Sequence, residues 1–244
     1  MTNLKSPPTI EVQNLVFSYP QQKPVLRGIS FNLQPGERVG LMGLTGAGKS
    51  TLLENLIGLK MPQSGEIRVQ GTKLEQATLS QVRKQIGFCF QDANDQLFMP
   101  TILEDVMFGP RNYGVPLGEA RDRALALLDE FGLVEFANRS AHELSGGQRR
   151  LAALAAILAL KPAILILDEP TSGLDPSWRR RLAKVLSQLP VEVILIASHD
   201  LNWIGKTTQR ALILADGEIK IDRETEDLMK DTSTLESYNL PPDW

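Results

Sequence analysis

The chain has 244 residues, 42% of them apolar and 23% charged, a globular balance that excludes a disordered, collagenous or coiled-coil polypeptide. With 26 Lys and Arg against 29 Asp and Glu the net charge is −3, so the whole surface is not that of a nucleic-acid binder and no nucleic-acid partner is expected. A single cysteine, Cys89, rules out an internal disulfide framework and fits a reducing compartment. The most apolar stretch, about ten residues over 151–160, ends at Lys161 and Pro162 and is about half of what a membrane-spanning helix needs. The opening MTNLKSPPTI has no apolar signal core. The expectation is a soluble, cytosolic chain that reaches a membrane only through a partner.

In chain order, residues 10–17 (IEVQNLVF) read as a strand. So do 29–33 and 37–42, with the turn residues Pro35 and Gly36 between them. A Gly-rich loop, 43–48, leads into a helix from Lys49, and 66–70 and 86–90 read as further strands. From about 92 to 160 strand signals vanish and apolar residues recur at helical spacing over 117–131 and 147–160. After Pro162 come three short apolar runs, AILIL, VEVILIA (191–197) and RALILA (210–215), of the kind buried on both faces of a sheet. Helical segments separate them, which predicts βα units with a parallel sheet and a helical insertion in the middle. No repeat with a period of 20–50 residues and no low-complexity tract is present.

Three local patterns carry chemistry. Gly43, Leu44, Thr45, Gly46, Ala47, Gly48, Lys49 and Ser50 match G-x-x-x-x-G-K-[ST] between a strand and a helix. Glycines suit this loop because backbone N–H groups must approach phosphate oxygens unobstructed, and the helix N-terminus adds positive potential. Lys49 would reach the β- and γ-phosphates and the Ser50 hydroxyl would ligate Mg²⁺; a chance Gly-rich turn is the alternative. The second pattern is the apolar run 164–167 ending in Asp168 and Glu169. It puts two carboxylates at the C-terminal edge of a parallel sheet, where ligands bind. Asp168 would hold Mg²⁺ through water and Glu169 would polarise an attacking water, whereas Asp-Glu after a strand can also be an exposed turn. The third is Leu144, Ser145, Gly146, Gly147, Gln148, with Arg149, Arg150 and an apolar helix behind. Ser145 can cap that helix and leave its first N–H groups facing an anion; an ordinary capped helix start is the plain alternative.

Taken together, GLTGAGKST, LSGGQ and ILILDEPTSGLD resemble the ATP-binding cassette (ABC) ATPases, in that family's order and spacing and over nearly the whole chain. The resemblance implies an α/β fold: a P-loop NTPase (RecA-like) core, an antiparallel β portion on the N-terminal side and an inserted helical subdomain. On that pattern the domain covers 10–242, with the core about 10–91 and 161–221, the helical subdomain about 92–160 and a short tail about 222–244. ATP and Mg²⁺ are the implied cofactors, with Thr51 closing the phosphate loop. Tyr19 resembles the aromatic that stacks on adenine, or is a strand-end Tyr packed on the core. Gln91 resembles the glutamine that touches Mg²⁺ and the attacking water, or is a surface Gln. Asp175 resembles the D-loop aspartate with a role across a subunit boundary; it would also cap the next helix, with Pro176 first inside it. His199, at a strand's C-terminal edge, resembles the switch histidine that contacts the γ-phosphate. His142 is assigned no chemistry. The run 179–181 (RRR) reads as a solvated helix face, Trp178, Trp203 and Trp244 as packing or surface residues, and Cys89 as a buried small hydrophobe.

The resemblance further implies a second ABC ATPase chain, identical or a sister, paired head to tail so that the phosphate loop of one chain and the LSGGQ of the other sandwich ATP. This is physically reasonable, since Lys49 alone cannot balance a triphosphate. The stretch from Gln91 to Phe98 and from Thr101 to Pro110 resembles the D-Q-L-F and E-D-V-x-F-G-P segment of energy-coupling factor (ECF) ATPases. Those power uptake of cobalt, nickel or vitamins, and this segment meets transmembrane subunits in them. Leu97, Phe98, Val106 and Phe108 packing the helical subdomain is the alternative. The implied function is the ATP-hydrolysing subunit of an ECF-type importer at the cytoplasmic face of the membrane, and the ending LPPDW fits such a small subunit. Another ABC transporter or a soluble ABC ATPase of the iron–sulfur assembly type stays open. Tandem translation factors would need a second P-loop, and repair types a long coiled coil.

Overall fold

The computed structural model describes residues 7–240; Trp244 and the end of the expected domain at 241 and 242 lie outside them. In chain order the elements are β1 (Ile10–Phe17), β2 (Leu26–Leu33), β3 (Arg38–Met42), α1 (Lys49–Leu56), β4 (Ser64–Val69), β5 (Thr72–Lys73), α2 (Leu79–Gln85), β6 (Ile86–Cys89), α3 (Ile102–Asn112), α4 (Leu117–Glu130), α5 (Gly146–Leu158), β7 (Ile164–Asp168), α6 (Pro176–Gln188), β8 (Val193–Ala197), α7 (Leu201–Thr207), β9 (Arg210–Ala215), β10 (Glu218–Glu224), α8 (Thr225–Lys230) and α9 (Thr232–Ser237). The described residues fall into two compact units, one drawn from 7–86, 163–169 and 190–240, the other from Gly87–Pro162 and Pro170–Leu189.

The first unit carries two sheets. In one, the order β2-β1-β4-β5 is antiparallel throughout. Its β1 alternates inward and outward until Asn14, whose φ of 47° and the register shift after Val12 mark a bulge. In the other sheet the order within this unit is β10-β9-β3-β8-β7, with β3, β7, β8 and β9 parallel and β10 antiparallel on the edge. Every residue of β7 and β8 is buried, which explains why both read as unbroken apolar runs rather than alternating ones. The strand ends of β3, β7 and β8 therefore arrive side by side at one edge, carrying the phosphate loop, Asp168 and Ser198.

The second unit packs α3, α4 and α5 on one another. Helix α4 buries Ala120, Ala124 and Leu128, one stripe at four-residue spacing. Helix α3 was not among the expected helices. It starts at a capping box in which Thr101 accepts from the Glu104 N–H while the Glu104 carboxylate accepts from the Thr101 N–H. Strand β10 was not expected either; it alternates exposed and half-buried residues and follows a tight turn at Asp216 and Gly217, whose φ values of 51° and 76° suit a two-residue hairpin. The run 179–181 lies on a solvated face as expected, with Arg180 and Arg181 exposed and Arg179 half-buried, and two of its guanidiniums also reach carbonyls. Arg179 Nε donates to the Leu174 carbonyl at 3.0 Å, and Arg181 donates to the Phe131 carbonyl with its guanidinium 5.1 Å from the Trp178 ring centre. The Phe131 carbonyl is at the C-terminal end of α4, where helix carbonyls lack intrahelical partners. Cys89 is buried, as expected. Among the described residues no helix is long and apolar enough to cross a membrane.

Candidate active site

The phosphate loop connects β3 to α1. Gly46 and Gly48 have φ of 83° and 103°, and a Cβ at Gly43 would lie 2.4 Å from the Leu214 carbonyl oxygen, so glycine is required by backbone geometry at all three places. Helix α1 begins at Lys49 directly after Gly48, aiming its N-terminal N–H groups into the loop. The Lys49 side chain is 7% exposed and folds back over the loop, donating to the carbonyls of Gly43 at 2.8 Å and Leu44 at 3.2 Å. Its Nζ also stands 3.7 Å from Glu169 Oε1. A buried cation held by two carbonyls and one carboxylate is poised to exchange partners for phosphate oxygens.

Asp168 is the last residue of β7 and Glu169 the first after it. Glu169 is buried and has φ 43°, an uncommon conformation for a side-chain-bearing residue that concentrates at functional sites. The Glu169 N–H still continues the ladder by donating to the Ala197 carbonyl at 2.9 Å, so the strained residue is pinned by the sheet. Its Oε2 accepts from Ser198 Oγ at 3.1 Å and from the His199 backbone N–H at 3.3 Å, and lies 2.9 Å from His199 Nδ1. His199 itself is 66% exposed on its side chain, leaving the imidazole open to a ligand at the sheet edge. The structure thus brings Lys49, Glu169 and His199 together.

Asp168 Oδ1 is buried and has no hydrogen-bond partner among the described residues. Burial pushes the Asp168 carboxyl above the ordinary aspartate range; the Ser50 hydroxyl bonded to it pulls the other way, and the neighbouring Glu169 charge adds to the rise. An orphaned carboxylate oxygen beside a serine hydroxyl is the donor set for a hard divalent cation that takes its remaining ligands from phosphate and water. No group of three or more His, Cys, Asp or Glu with metal-site geometry occurs among the described residues.

Tyr19 is half-buried. It packs edge-on against Phe17 with ring centres 5.2 Å apart, its hydroxyl lies 3.1 Å from Thr51 Oγ1, and Lys60 Nζ stands 5.0 Å from its ring centre. Thr51, in the first turn of α1, is thereby tied to Tyr19.

Gln91, Ser145, Gly146, Gly147, Gln148 and Asp175 belong to the second unit. Ser145 caps α5 through a capping box: its Oγ accepts from the Gln148 N–H at 3.3 Å while Gln148 Oε1 accepts from the Ser145 N–H at 2.8 Å. A Cβ on Gly147 would fall 2.3 Å from the Trp178 ring, which explains that glycine by packing alone. Asp175 caps α6, accepting from the N–H groups of Ser177 at 2.8 Å and Trp178 at 3.0 Å. Arg150 is a residue to which the sequence reading assigned no role. It is buried, donates to the Phe90 carbonyl at 2.6 Å and to the Gln91 carbonyl, and lies 3.6 Å from Cys89 Sγ. It fastens the backbone of Gln91 to α5, a link 59 positions long that no local pattern signals.

Phe98 and Phe108, in the stretch 91–110, form an edge-to-face pair with centres 4.8 Å apart, and Phe98 is 61% exposed. The Phe98 and Met99 N–H groups both donate to Asp105 Oδ1 at 2.9 Å, while Oδ2 is buried with no hydrogen-bond partner among the described residues. Burial raises the Asp105 carboxyl above its ordinary range, against the pull of the two N–H bonds. The folded state therefore holds the proton more tightly than the unfolded chain, and the stability this gives is lost as pH rises through the folded value. Asp105→Asn keeps an oxygen for both N–H groups and removes the buried charge. It is expected to raise the melting temperature by a few degrees at neutral pH, with the gain shrinking towards about pH 4; thermal melts across pH check this, and a lower melting temperature at neutral pH refutes it.

The sequence pattern of the ABC transporter family matches residues 26–172. The chain is similar to the energy-coupling factor transporter ATP-binding protein EcfA of Methanothermobacter thermautotrophicus, at 39% identity over 235 residues covering 95% of this chain and 76% of that protein. Among solved structures it is similar to cbiO1 from Clostridium perfringens, part of the ABC transporter complex cbiONQ, with a TM-score of 0.83 and 30% identity over 96% of each chain. It is also similar to the ATP-binding cassette MJ0796 in a dimeric post-hydrolysis state bound to ADP and Pi, with a TM-score of 0.77 and 30% identity over 89% of this chain and 99% of that one.

Proposed function

Because the chain belongs to the ABC transporter family, as an ATP-binding subunit that hydrolyses ATP, we propose that it is the ATPase of an ECF-type importer, driving uptake of cobalt, nickel or a vitamin through transmembrane subunits at the cytoplasmic face of the membrane. The observation that carries the ATPase chemistry is the cluster of Lys49, Glu169 and His199 around one buried carboxylate, beside the orphaned oxygen of Asp168. What supports the ECF reading is the likeness to EcfA and cbiO1, together with the exposed Phe98 and Phe108 pair in the stretch 91–110.

In this reading Lys49 leaves the Gly43 and Leu44 carbonyls for the β- and γ-phosphates, and the N–H groups of residues 43–51 cradle the same oxygens. Ser50 and Asp168 would hold Mg²⁺, which when bound supplies positive charge against the phosphate oxygens. Glu169 takes the proton from the attacking water, His199 faces the γ-phosphate and Tyr19 stacks on adenine. By the family resemblance Gln91 would be a further oxygen donor for Mg²⁺ and the attacking water. A second cassette, identical or sister, lays Ser145, Gly146, Gly147 and Gln148 on the γ-phosphate from its side, with Asp175 at the shared boundary. ATP then joins the two chains and its cleavage releases them.

Affinity purification of the tagged chain from detergent-solubilised membranes tests the assignment. The expected result is a polytopic membrane protein and a cassette chain in fixed ratio. Recovery of the chain only from the soluble fraction, with iron–sulfur assembly proteins, points to the soluble alternative.

A further inference from the structure

We propose that Ser198 is a positioning residue for ATP hydrolysis, holding one oxygen of Glu169 so that the other faces the attacking water. This rests on the reading of Glu169 as the base. Ser198 is fully buried and follows β8, and its N–H donates to the Leu41 carbonyl at 3.2 Å. Its backbone is thus fixed to β3. Glu169, after β7, is fixed in turn to the Ala197 carbonyl at 2.9 Å. The two side chains meet between neighbouring strands, with Ser198 Oγ 3.1 Å from Glu169 Oε2.

A serine hydroxyl has one proton and two lone pairs. The Asp200 N–H donates to Ser198 Oγ at 3.1 Å, which uses a lone pair and leaves the proton for Glu169. The direction of the Ser198 to Glu169 bond is therefore set by the turn that opens α7. A mere helix-start role would need only the lone pair; the proton aimed at a buried carboxylate is what the turn does not require. With the Ser198 hydroxyl and the His199 N–H both on Oε2, the carboxylate plane is determined. Oε1 faces Lys49 Nζ at 3.7 Å, and when Lys49 moves to phosphate, Oε1 is the oxygen set free to accept a proton. Without Ser198 the carboxylate can turn about its terminal torsion, which is intrinsically soft.

The test is steady-state ATPase and nucleotide binding with the full-length chain. Ser198→Ala is expected to lower kcat about ten- to a hundredfold, the worth of one hydrogen bond to a charged group, with KM for ATP within about twofold. Ser198→Thr keeps the hydroxyl and should recover most of the rate. Should the added methyl prevent folding, as melting would reveal, Ser198→Cys, with its weak S–H donor, should fall between serine and alanine. Wild-type kcat in Ser198→Ala overturns the inference, as does an equal loss in the alanine, threonine and cysteine variants. Glu169→Gln run in parallel separates the two levels. If it is inactive while Ser198→Ala is fully active, only the role of Ser198 is lost; if it is itself fully active, the base assignment fails and takes this inference with it.

Discussion

Glu169→Gln is expected to cut ATP turnover by about 10²–10⁴-fold, the usual contribution of a positioned general base, while ATP binding is kept or tightened. The substitution preserves shape. An amide oxygen can still accept from Ser198 Oγ and the His199 N–H, the two donors now on Oε2, so the loop after β7 has little reason to move. What is lost is a carboxylate able to take a proton from water. Binding should not suffer, because the lost negative charge sits 3.7 Å from Lys49 Nζ, close to where the phosphates would lie, and removing it relieves repulsion there. If ATP joins two identical copies of this chain, the variant should hold them together: with ATP and magnesium it should elute at twice the monomer mass, and wild type should revert to monomer as ATP is consumed. Single-turnover kinetics and size-exclusion chromatography provide the readouts. Near-normal turnover would remove Glu169 as the base and leave His199 as the group to examine.

The residues of this cluster were legible in the sequence to the extent that their chemistry is contiguous. The phosphate loop is eight consecutive residues whose glycines answer to backbone geometry, and Asp168 and Glu169 close an apolar strand; both patterns are visible without knowing what packs against what. Ser198 was not legible as part of the site, because its partner Glu169 is 29 positions away and the two meet only when β7 and β8 pair. The same holds for Arg150, whose carbonyl partners at Phe90 and Gln91 lie 60 and 59 positions back. A buried Arg bonded to carbonyls leaves no periodic trace. Helix α3 and strand β10 do carry local signals. Thr101 with Glu104 is a capping box and announces α3. Asp216-Gly217 before the alternating EIKIDRE announces the β9–β10 hairpin. The edge strand's alternation of exposed and half-buried residues, which ends in three exposed ones, is weaker in amplitude than the unbroken apolar runs of the buried strands. The run 179–181 is the solvated face that its charge announces, but the Phe131 carbonyl that Arg181 reaches from it depends on the tertiary neighbours of α6.

Lys49→Ala is expected to weaken ATP binding by about 10- to 100-fold, because charge-assisted bonds to phosphate are worth about 1.5–3 kcal/mol. It should also destabilise the nucleotide-free protein, an effect that the phosphate-loop pattern alone does not foretell. In the free state Lys49 Nζ satisfies the carbonyls of Gly43 and Leu44 and faces a buried carboxylate. Deleting it leaves two acceptors short of a donor and Glu169 without its cation, and removal of one partner from a buried pair is costly. The melting temperature of the nucleotide-free variant should therefore fall below wild type, and added ATP should raise it less than it raises wild type. Lys49→Arg discriminates between charge and shape. It restores the cation, but a planar fork is a poor substitute for a compact ammonium seated over a tight loop, so affinity should stay well below wild type even where stability partly recovers. Equilibrium titration with a fluorescent ATP analogue gives the affinities and thermal melts give the stability. Wild-type affinity in Lys49→Ala would mean that the loop holds phosphate by its N–H groups alone, and the exchange of Lys49 from carbonyl to phosphate would have to be abandoned.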